Sequence, residues 1–438
     1  MKKSLILFLI AGFALAGCNK NGEENQINYN PDGYSMKEID DGKITVSYFY
    51  NLGKEEMEFG SGNTATGSTT AIQIDKIEKG TKATRPSKDP VRVNYDFAGW
   101  HTHESEESLY DFNKNVDSNL ALYAHWSKTQ EDEFVEPEYI EPSKIDDSLD
   151  TLVSITGVLN LPVVDGKVLV SYSALLRIEN DKNDVTGILN YKVKSDVELV
   201  ASYDTGTKKI SYHATKGSEE QNGEITIQNN TSNLVIENTT YENKAKNYED
   251  MGLEIEDHHI MLAGSSSIEN WSHSTEDLNP LTTYNHGIGG TTVEQWKNKL
   301  NQRLVYPYSP KTIVYYVGVN NIINTGSSVQ FTGESLVAMF DDVHAHLPNT
   351  HIYYILINKL PGYPSRQAEF DAVNQYALDY EATHDYVTTL NAGQGLLKEN
   401  GQPNQAYFLL DGLHMSLCGY AIWGKFIKDK LIYDIKNA

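Results

Sequence analysis

Apolar residues change their spacing at about residue 257 of this chain. Three later segments, 260–263, 312–317 and 352–357, are unbroken apolar runs, as in strands buried on both faces of a parallel sheet. Apolar residues at helical spacing lie between and after them, at Val293, Trp296, Leu300 and Leu304, at Leu336, Phe340, Val343 and Leu347, at Phe370, Val373, Tyr376, Ala377 and Tyr380, and from Gly419 to Leu431. This alternation predicts an α/β fold over residues 251–438, a doubly wound parallel sheet in three layers.

The preceding part of the chain alternates apolar and polar residues, as half-buried strands do. Turns rich in Gly, Asn and Asp separate these runs, which include 44–48, 167–172, 197–203 and 210–212. We therefore predict a small β module over residues 44–127 and a β-rich domain over residues 150–250. No motif in the second domain names its role, and a sugar-binding or a spacer sandwich fits equally well.

Two segments carry too few apolar residues to form a core. Residues 18–43 are rich in Asn, Gly, Glu and Asp and are interpreted as a flexible tether. Residues 128–149 form an acidic linker punctuated by proline. With these segments, the amino-terminal half of the chain is predicted to be a stalk that carries the α/β domain.

Acidic residues outnumber basic ones, with 60 Asp and Glu against 36 Lys and Arg, which gives the 438-residue chain a formal net charge of -24. Such a surface repels nucleic acid, and no basic stripe relieves it, so we exclude a nucleic-acid partner. We interpret the charge as a solvated surface that keeps an extracellular protein soluble.

Residues 1–17 have the features of an export signal. Lys2 and Lys3 precede an apolar stretch, 5–15, that is too short to span a bilayer. The following Leu-Ala-Gly-Cys at 15–18 resembles the lipobox of bacterial lipoproteins. The resemblance implies cleavage before Cys18, lipidation of that cysteine, and an extracytoplasmic protein attached to a cell membrane by lipid. An ordinary signal peptide is the alternative.

Three aromatic clusters mark the carboxyl end of the 44–127 module. They are Phe-Ala-Gly-Trp at 97–100, Tyr-Asp-Phe at 110–112 and Leu-Tyr-Ala-His-Trp at 122–126. In that order they resemble the internalin-type B repeat, also called the Listeria–Bacteroides repeat, which implies a small β-grasp-like fold. An insertion at 60–68 departs from the short turn of that family. We predict a core of aromatic side chains, formed by Trp100, Phe112, Tyr123 and Trp126. The alternative is that the tryptophans stack on carbohydrate, and the amino-terminal modules would then contact cell-wall or host glycans.

Four short motifs follow apolar runs of the α/β half, and the carboxyl ends of parallel strands bring functional groups together. A serine needs a positioned imidazole to take its proton, and the imidazole needs a carboxylate to fix its tautomer. Gly and Asn supply N–H donors for a developing oxyanion. A serine-rich turn alone is usually only a helix cap. The motifs are Gly-Ser-Ser-Ser at 264–267, Gly-Ile-Gly-Gly at 287–290, Gly-Val-Asn-Asn at 318–321 and Asp-Gly-Leu-His at 411–414.

The four motifs, in this order and spacing over residues 255–438, resemble the SGNH, or GDSL-like, hydrolase family. The resemblance implies Ser266 as the nucleophile, His414 as the general base and Asp411 as the carboxylate that orients the imidazole. It implies an oxyanion hole formed by the backbone N–H of Ser266, Gly290 and the side chain of Asn320. It implies a reaction that uses no metal and no organic cofactor.

Two positions depart from the family pattern, because Ser265 and Asn321 stand where Asp is common. We expect both to support their loops rather than to move protons, so the departures bear on substrate class and not on catalysis. Ordinary roles are predicted for the other reactive side chains. Cys418 is expected to be a buried structural thiol, and His258 and His259 are expected to cap or to face solvent. His286 has no Cys or acidic partner at metal-ligand spacing, and an adventitious metal contact is the most expected of His101, His103 and Glu104.

These inferences predict a surface-anchored serine ester hydrolase. Its expected substrate is a small-molecule or glycan ester outside the cell, with a short acyl group such as acetyl on a carbohydrate. Two alternatives stay open. The first is a lipase or thioesterase for longer acyl chains, and the second is an inactive adhesin or glycan-binding surface protein.

Overall fold

A computed structural model describes residues 42–52, 71–103, 108–129, 134–137, 143–170, 172–180, 184–229, 234–252 and 259–437, with the paired strands Gly17–Cys18 and Glu24–Asn25. Residues 1–16 of the predicted signal peptide, most of the tether, the Cys18 side chain, the insertion at 60–68, Glu104 and His258 lie outside the described residues. Within those described ranges, no helix is long and apolar enough to cross a membrane.

Five parallel strands form the sheet of the carboxyl-terminal domain. Its inner strands are buried at nearly every position because helices cover both faces. This confirms the predicted doubly wound α/β fold. The first strand of the domain in chain order is Ile260–Gly264. The next strand, Thr283–Asn285, pairs with one side of it, and the strand after that, Thr312–Tyr316, pairs with its other side. The strand order therefore reverses at Ile260–Gly264, which makes its carboxyl end a topological switch point. The strand order is Thr283–Asn285, Ile260–Gly264, Thr312–Tyr316, His351–Ile355 and Val387–Leu390.

Helices pack on both sides of this sheet. Helix Val329–His346 packs against Gln367–Glu381, whereas Leu417–Asn437, which buries Cys418 as predicted, packs against Ser274–Leu278. The stripe from Val293 to Leu304 is one helical segment with a π-helical middle, built from Val293–Gln295, Trp296–Leu300 and Asn301–Leu304. Shorter helical turns are Ser266–Glu269, Tyr306–Tyr308, Val319–Ile323, Pro364–Arg366, Ala392–Leu396 and Gln405–Tyr407.

The amino-terminal module is a four-stranded sheet whose two middle strands run parallel. Trp100 is buried at its centre, where the rings of Tyr48 and Phe97 meet it edge-on. Phe112 and Trp126 pack at the margin of the same core, as predicted. The strand order is Ala71–Glu78, Lys43–Phe49, Leu120–Lys128 and Tyr95–His101, beside the short pair Thr81–Lys82 and Asn115–Val116.

The core prediction is wrong for Tyr123. Its ring stacks on Phe49 with ring centroids 5.1 Å apart, on the face opposite the core. Its strand neighbours Leu122 and Ala124 are fully buried instead. Side chains alternate between the faces of a strand, so all three cannot point into one core.

The region that follows is rich in strands, as predicted, and also contains two helices that the sequence pattern did not predict. These helices are Tyr172–Asn180 and Thr239–Gly252. One sheet has the order Leu161–Pro162, Val153–Val158 and Leu189–Val193, and the other has the order Lys167–Val170, Glu219–Asn229, Lys209–Lys216 and Glu198–Asp204, with a 3-10 turn at Thr186–Ile188.

Helix Thr239–Gly252, here called the connecting helix, corrects the predicted domain boundary. The boundary placed at residue 250 falls inside the helix, which begins after Asn238, whose Oδ1 accepts the N–H of Tyr241 at 3.2 Å. The connecting helix packs on the carboxyl-terminal domain through the buried Arg303, whose guanidinium donates to Glu242 and Glu249. It therefore belongs with the α/β domain in space.

The predicted stalk is also wrong. Tyr50 and Val93 of the amino-terminal module lie in the same hydrophobic core as Trp271 and Trp423 of the α/β domain. The backbone N–H of Val93 donates to the Ala421 carbonyl at 2.9 Å. Apolar burial and backbone pairing thus seat the module directly on the α/β domain.

The acidic linker, which was predicted only to lack a core of its own, contributes to this packing as well. Phe134 packs against the main hydrophobic core. Glu136 forms an ion pair with Lys311, and its other oxygen accepts the N–H of Thr282 at 2.8 Å. Glu136, one of the acidic residues of the linker, therefore makes a specific contact with the α/β domain.

Candidate active site

Ser266 stands directly beyond the carboxyl end of strand Ile260–Gly264. Gly264 has a φ of +144°, and a side chain there would collide with the Tyr316 carbonyl of the adjacent strand. The N–H of Ser265 donates to that carbonyl at 3.0 Å, which ties the turn to the sheet. The helix after the turn, Ser266–Glu269, is a single turn, so its dipole contributes little to the site.

Ser266 and His414 are joined by a hydrogen bond. Ser266 Oγ lies 2.9 Å from His414 Nε2, and His414 Nδ1 lies 2.6 Å from Asp411 Oδ2. A carboxylate can only accept, so Nδ1 carries the proton and Nε2 is left to accept the serine O–H. In this arrangement the imidazole can take the hydroxyl proton while the carboxylate stabilises the resulting cation.

The loop that carries Asp411 is shaped by the same carboxylate. Asp411 Oδ1 accepts the backbone N–H of Leu413 at 2.9 Å and that of His414 at 3.0 Å. Partial burial raises the pKa of Asp411, but the hydrogen bonds from the His414 ring and these two N–H groups outweigh burial and lower the pKa below its ordinary value. Asp411 therefore remains charged wherever His414 is used as a base.

The second motif lies against the serine. A methyl group on Gly289 would lie 3.3 Å from Ser266 Cβ, and the N–H of Gly289 donates to Glu269 Oε2 at 2.7 Å. Gly290 has a φ of +86°, a backbone conformation that side-chain-bearing residues rarely adopt. The loop thus presents its backbone, rather than side chains, beside Ser266.

Asn320 joins the third motif to the second. Its Nδ2 donates to the Thr291 carbonyl at 3.0 Å, and the amide keeps a second N–H. The neighbouring Asn321 is fully buried and accepts the N–H of Val293 at 3.0 Å. Asn321 therefore supports the loops, as expected, and the structure brings all four sequence motifs to one edge of the sheet.

Four residues around the second motif were not identified from the sequence. Glu269 binds the Gly289 N–H, and Tyr241, Lys244 and Tyr248 of the connecting helix surround the same loop. The spacing of Tyr241, Ala245 and Tyr248 is a helical signal that could have revealed the helix. Nothing in the sequence of either segment links it to the other.

Two histidines outside the four motifs, His286 and His101, are buried and make contacts within the protein. His286 is fully buried, its Nδ1–H donates to the Leu304 carbonyl at 2.8 Å, and burial lowers its pKa from 6.5 to about 4. His101 is buried, and its ring stacks on that of His125 with the ring centroids 3.7 Å apart. Among the residues that the structure describes, no group of three or more His, Cys, Asp or Glu side chains is arranged to hold a metal ion.

A serine, an imidazole and a carboxylate lie in hydrogen-bonded series at the edge of a doubly wound sheet. This is the arrangement of a nucleophilic serine site. Residues 252–422 match the GDSL-like Lipase/Acylhydrolase family, and residues 45–125 match the Listeria-Bacteroides repeat domain. The chain thus contains a GDSL-like acylhydrolase domain preceded by one such repeat, which confirms both resemblances.

Several solved structures are similar to the carboxyl-terminal part of the chain. A GDSL-like lipase from Bacteroides thetaiotaomicron is 20% identical, with a TM-score of 0.36, over 43% of this chain and 97% of that one. A lipase/acylhydrolase from Enterococcus faecalis is 20% identical, with a TM-score of 0.35, over 40% of this chain and 96% of that one. A Clostridium thermocellum family 3 carbohydrate esterase is 16% identical, with a TM-score of 0.34, over 41% of this chain and 96% of that one. No curated protein matches the sequence.

Proposed function

We propose that the protein is a serine ester hydrolase in which Ser266 is the nucleophile. The observation that carries the proposal is the series Ser266 Oγ, His414 Nε2, His414 Nδ1 and Asp411 Oδ2, whose two links measure 2.9 and 2.6 Å. An inactive adhesin has no need for this series, since neither link stabilises a core.

The reaction follows from the positions of these groups. Ser266 Oγ attacks the ester carbonyl as its proton passes to His414 Nε2, and the negative oxygen is held by the N–H groups of Ser266, Gly290 and Asn320. The C–O bond to the alcohol then breaks, and His414 returns the proton to the departing oxygen. A water activated by His414 releases the acyl group and regenerates Ser266.

We further propose a short acyl group, such as acetyl, on an extracellular carbohydrate or related ester. The support is the polarity of the site wall, because Tyr241 brings a hydroxyl beside Gly290, and Glu269 brings a carboxylate beside Gly289. A long alkyl chain gains less from such a surface than from an apolar one. A lipase or thioesterase for longer chains is the competing assignment.

The catalytic proposal is tested with p-nitrophenyl esters of increasing acyl length. The wild type should hydrolyse the acetate, and Ser266→Ala should lose at least about 1,000-fold in kcat. Equal rates for the two proteins would show that Ser266 is not the nucleophile. A kcat/KM that rises with chain length beyond butyrate would favour the lipase assignment over the acetyl one.

Anchoring through Cys18 is a separate proposal, supported by Leu-Ala-Gly-Cys at 15–18 after an apolar stretch. Expression in a bacterium fed an alkynyl fatty acid should label the wild type and should place it in the membrane fraction. Cys18→Ala should lose the label. Labelling of Cys18→Ala to the same extent would contradict the proposal.

A further inference from the structure

We propose that the connecting helix is a positioning element of the active site, and that it holds the loop 287–290 so that the Gly290 N–H points at the substrate oxygen before substrate binds. The inference rests on the proposed function, since it concerns the same oxyanion donor. The helix, Thr239–Gly252, precedes residues 252–422 that match the hydrolase family, so this positioning comes from outside the matched domain.

One face of the connecting helix meets the loop. Tyr241, Lys244 and Tyr248 are three and four residues apart, which places them on the same side of a helix. The Tyr248 O–H donates to the Gly287 carbonyl at 2.9 Å. This contact holds the first residue of the loop.

The next contact passes through Glu269. Lys244 forms an ion pair with Glu269, and Glu269 Oε2 accepts the N–H of Gly289 at 2.7 Å. Both side chains of the pair are partly screened from water, with 35% and 21% of their surface exposed. Because Lys244 fixes the carboxylate, it also fixes the Ile288–Gly289 peptide, which is one peptide before the one that carries the Gly290 N–H.

The last contact is made at Gly290 itself. With its φ of +86°, a side chain on Gly290 would collide with the Tyr241 hydroxyl. The phenol therefore fills the space beside the Gly290 Cα and prevents the loop from turning toward the helix. Contacts at Gly287, Gly289 and Gly290 together restrain the loop along its length.

The helix can restrain the loop because it is itself held firmly. Arg303 Nε donates to Glu249 at 2.7 Å, and another Arg303 nitrogen donates to Glu242 at 2.6 Å. The three side chains are buried, with 4%, 0% and 9% of their surface exposed. A buried, mutually satisfied ion cluster fixes the rotation of the helix about its axis, since turning it would leave charges unpaired.

The expected kinetic signature is a fall in kcat with little change in KM. A donor held in place before reaction stabilises charge that develops only in the transition state. Loosening the loop should therefore weaken transition-state binding more than substrate binding. A purely structural role would instead lower the amount of folded enzyme and its melting temperature.

The test uses the full-length protein, p-nitrophenyl acetate and four proteins: wild type, Lys244→Met, Lys244→Arg and Lys246→Met. Lys246 is the matched control, because it lies on the same helix, its side chain is 56% exposed and it does not pair with the loop; its partner Glu242 is held by the buried Arg303 whether or not Lys246 is present. We expect Lys244→Met to lower kcat about 10-fold with KM changed less than about twofold. Lys244→Arg and Lys246→Met should keep the wild-type kcat. Rates are normalised to the sites labelled at completion by a fluorophosphonate.

A wild-type kcat in Lys244→Met, or an equal loss in Lys246→Met, would overturn the inference. So would a loss that disappears on normalisation to labelled sites. Tyr241→Ala gives an independent check, since it frees Gly290 without altering the ion pair, and it should also lower kcat at constant KM. If wild type and Ser266→Ala hydrolyse the ester equally, the proposed function fails and the inference fails with it.

Discussion

Asp411 holds both the ring and the backbone of His414. One carboxylate oxygen accepts the Nδ1–H of the imidazole at 2.6 Å, and the other accepts the backbone N–H of the same residue at 3.0 Å. The short loop thus fixes the position of the base and its tautomer with a single side chain. An amide at this position could keep the backbone contact while changing the ring contact.

Asp411→Asn should therefore separate these two roles. The Asn oxygen can still accept the backbone N–H, but its NH₂ facing the ring favours the tautomer protonated at Nε2, which cannot take the serine proton. We expect kcat to fall about 1,000- to 10,000-fold with the melting temperature nearly unchanged. Circular dichroism and p-nitrophenyl acetate hydrolysis check this, and retention of most activity would remove Asp411 from the mechanism.

Gly290→Ala should damage both stability and activity. The new methyl group meets the Tyr241 hydroxyl, and the positive φ adds backbone strain, together at least about 2 kcal/mol. Gly326→Ala is the control, because Gly326 also has a positive φ of +66° but has nothing near enough to collide. It should cost only about 1 kcal/mol. If urea denaturation shows that the two variants lose the same free energy of unfolding, Tyr241 does not crowd Gly290.

His286 should make the α/β domain less stable in acid. Burial lowers its pKa from 6.5 to about 4, so between these values the unfolded chain binds a proton that the folded chain does not. Stability is therefore full above about pH 6.5 and falls as the pH drops toward 4, by roughly 3 kcal/mol in total. His286→Asn can keep a donor to the Leu304 carbonyl but cannot titrate. Parallel curves of unfolding free energy against pH for the two proteins would contradict this.

Glu136→Ala should loosen the linker from the α/β domain. The variant loses the ion pair with Lys311 and leaves the Thr282 N–H without its carboxylate, which we expect to cost about 1 to 3 kcal/mol. Asp429→Ala, which breaks an exposed pair with Lys425, should cost at most about 0.5 kcal/mol. Urea denaturation compares the two, and limited proteolysis should cut Glu136→Ala faster within residues 128–149.

The sheet and the reactive groups could be predicted because their signals are local. Ile313 and Val314 lie in an apolar run that only a doubly covered strand buries, and Asp411 stands three residues from His414. Gly290 and Asn320 followed from a family pattern. The strand and the Asp411–His414 pair each need only a short window of sequence, whereas Gly290 and Asn320 were assigned from the order of four motifs over residues 255–438.

The connecting helix and the docked linker could not be predicted in this way. The helix buries Glu242 and Glu249 against Arg303, so its buried face carries charges where the usual rule expects apolar residues. The partner of Glu136 lies 175 residues further along the chain. Composition alone makes both segments appear solvent-exposed. Apart from the helical spacing of Tyr241, Ala245 and Tyr248, compensation between distant charges leaves no local pattern.

The position of the connecting helix bears on how the proposed hydrolase can be engineered. A fusion that begins at residue 252 would carry every reactive group, yet the donor loop would lose the support of Tyr241, Lys244 and Tyr248. A portable catalyst accordingly needs at least the chain from Leu234, whose carbonyl accepts an N–H of Arg303 at 3.2 Å.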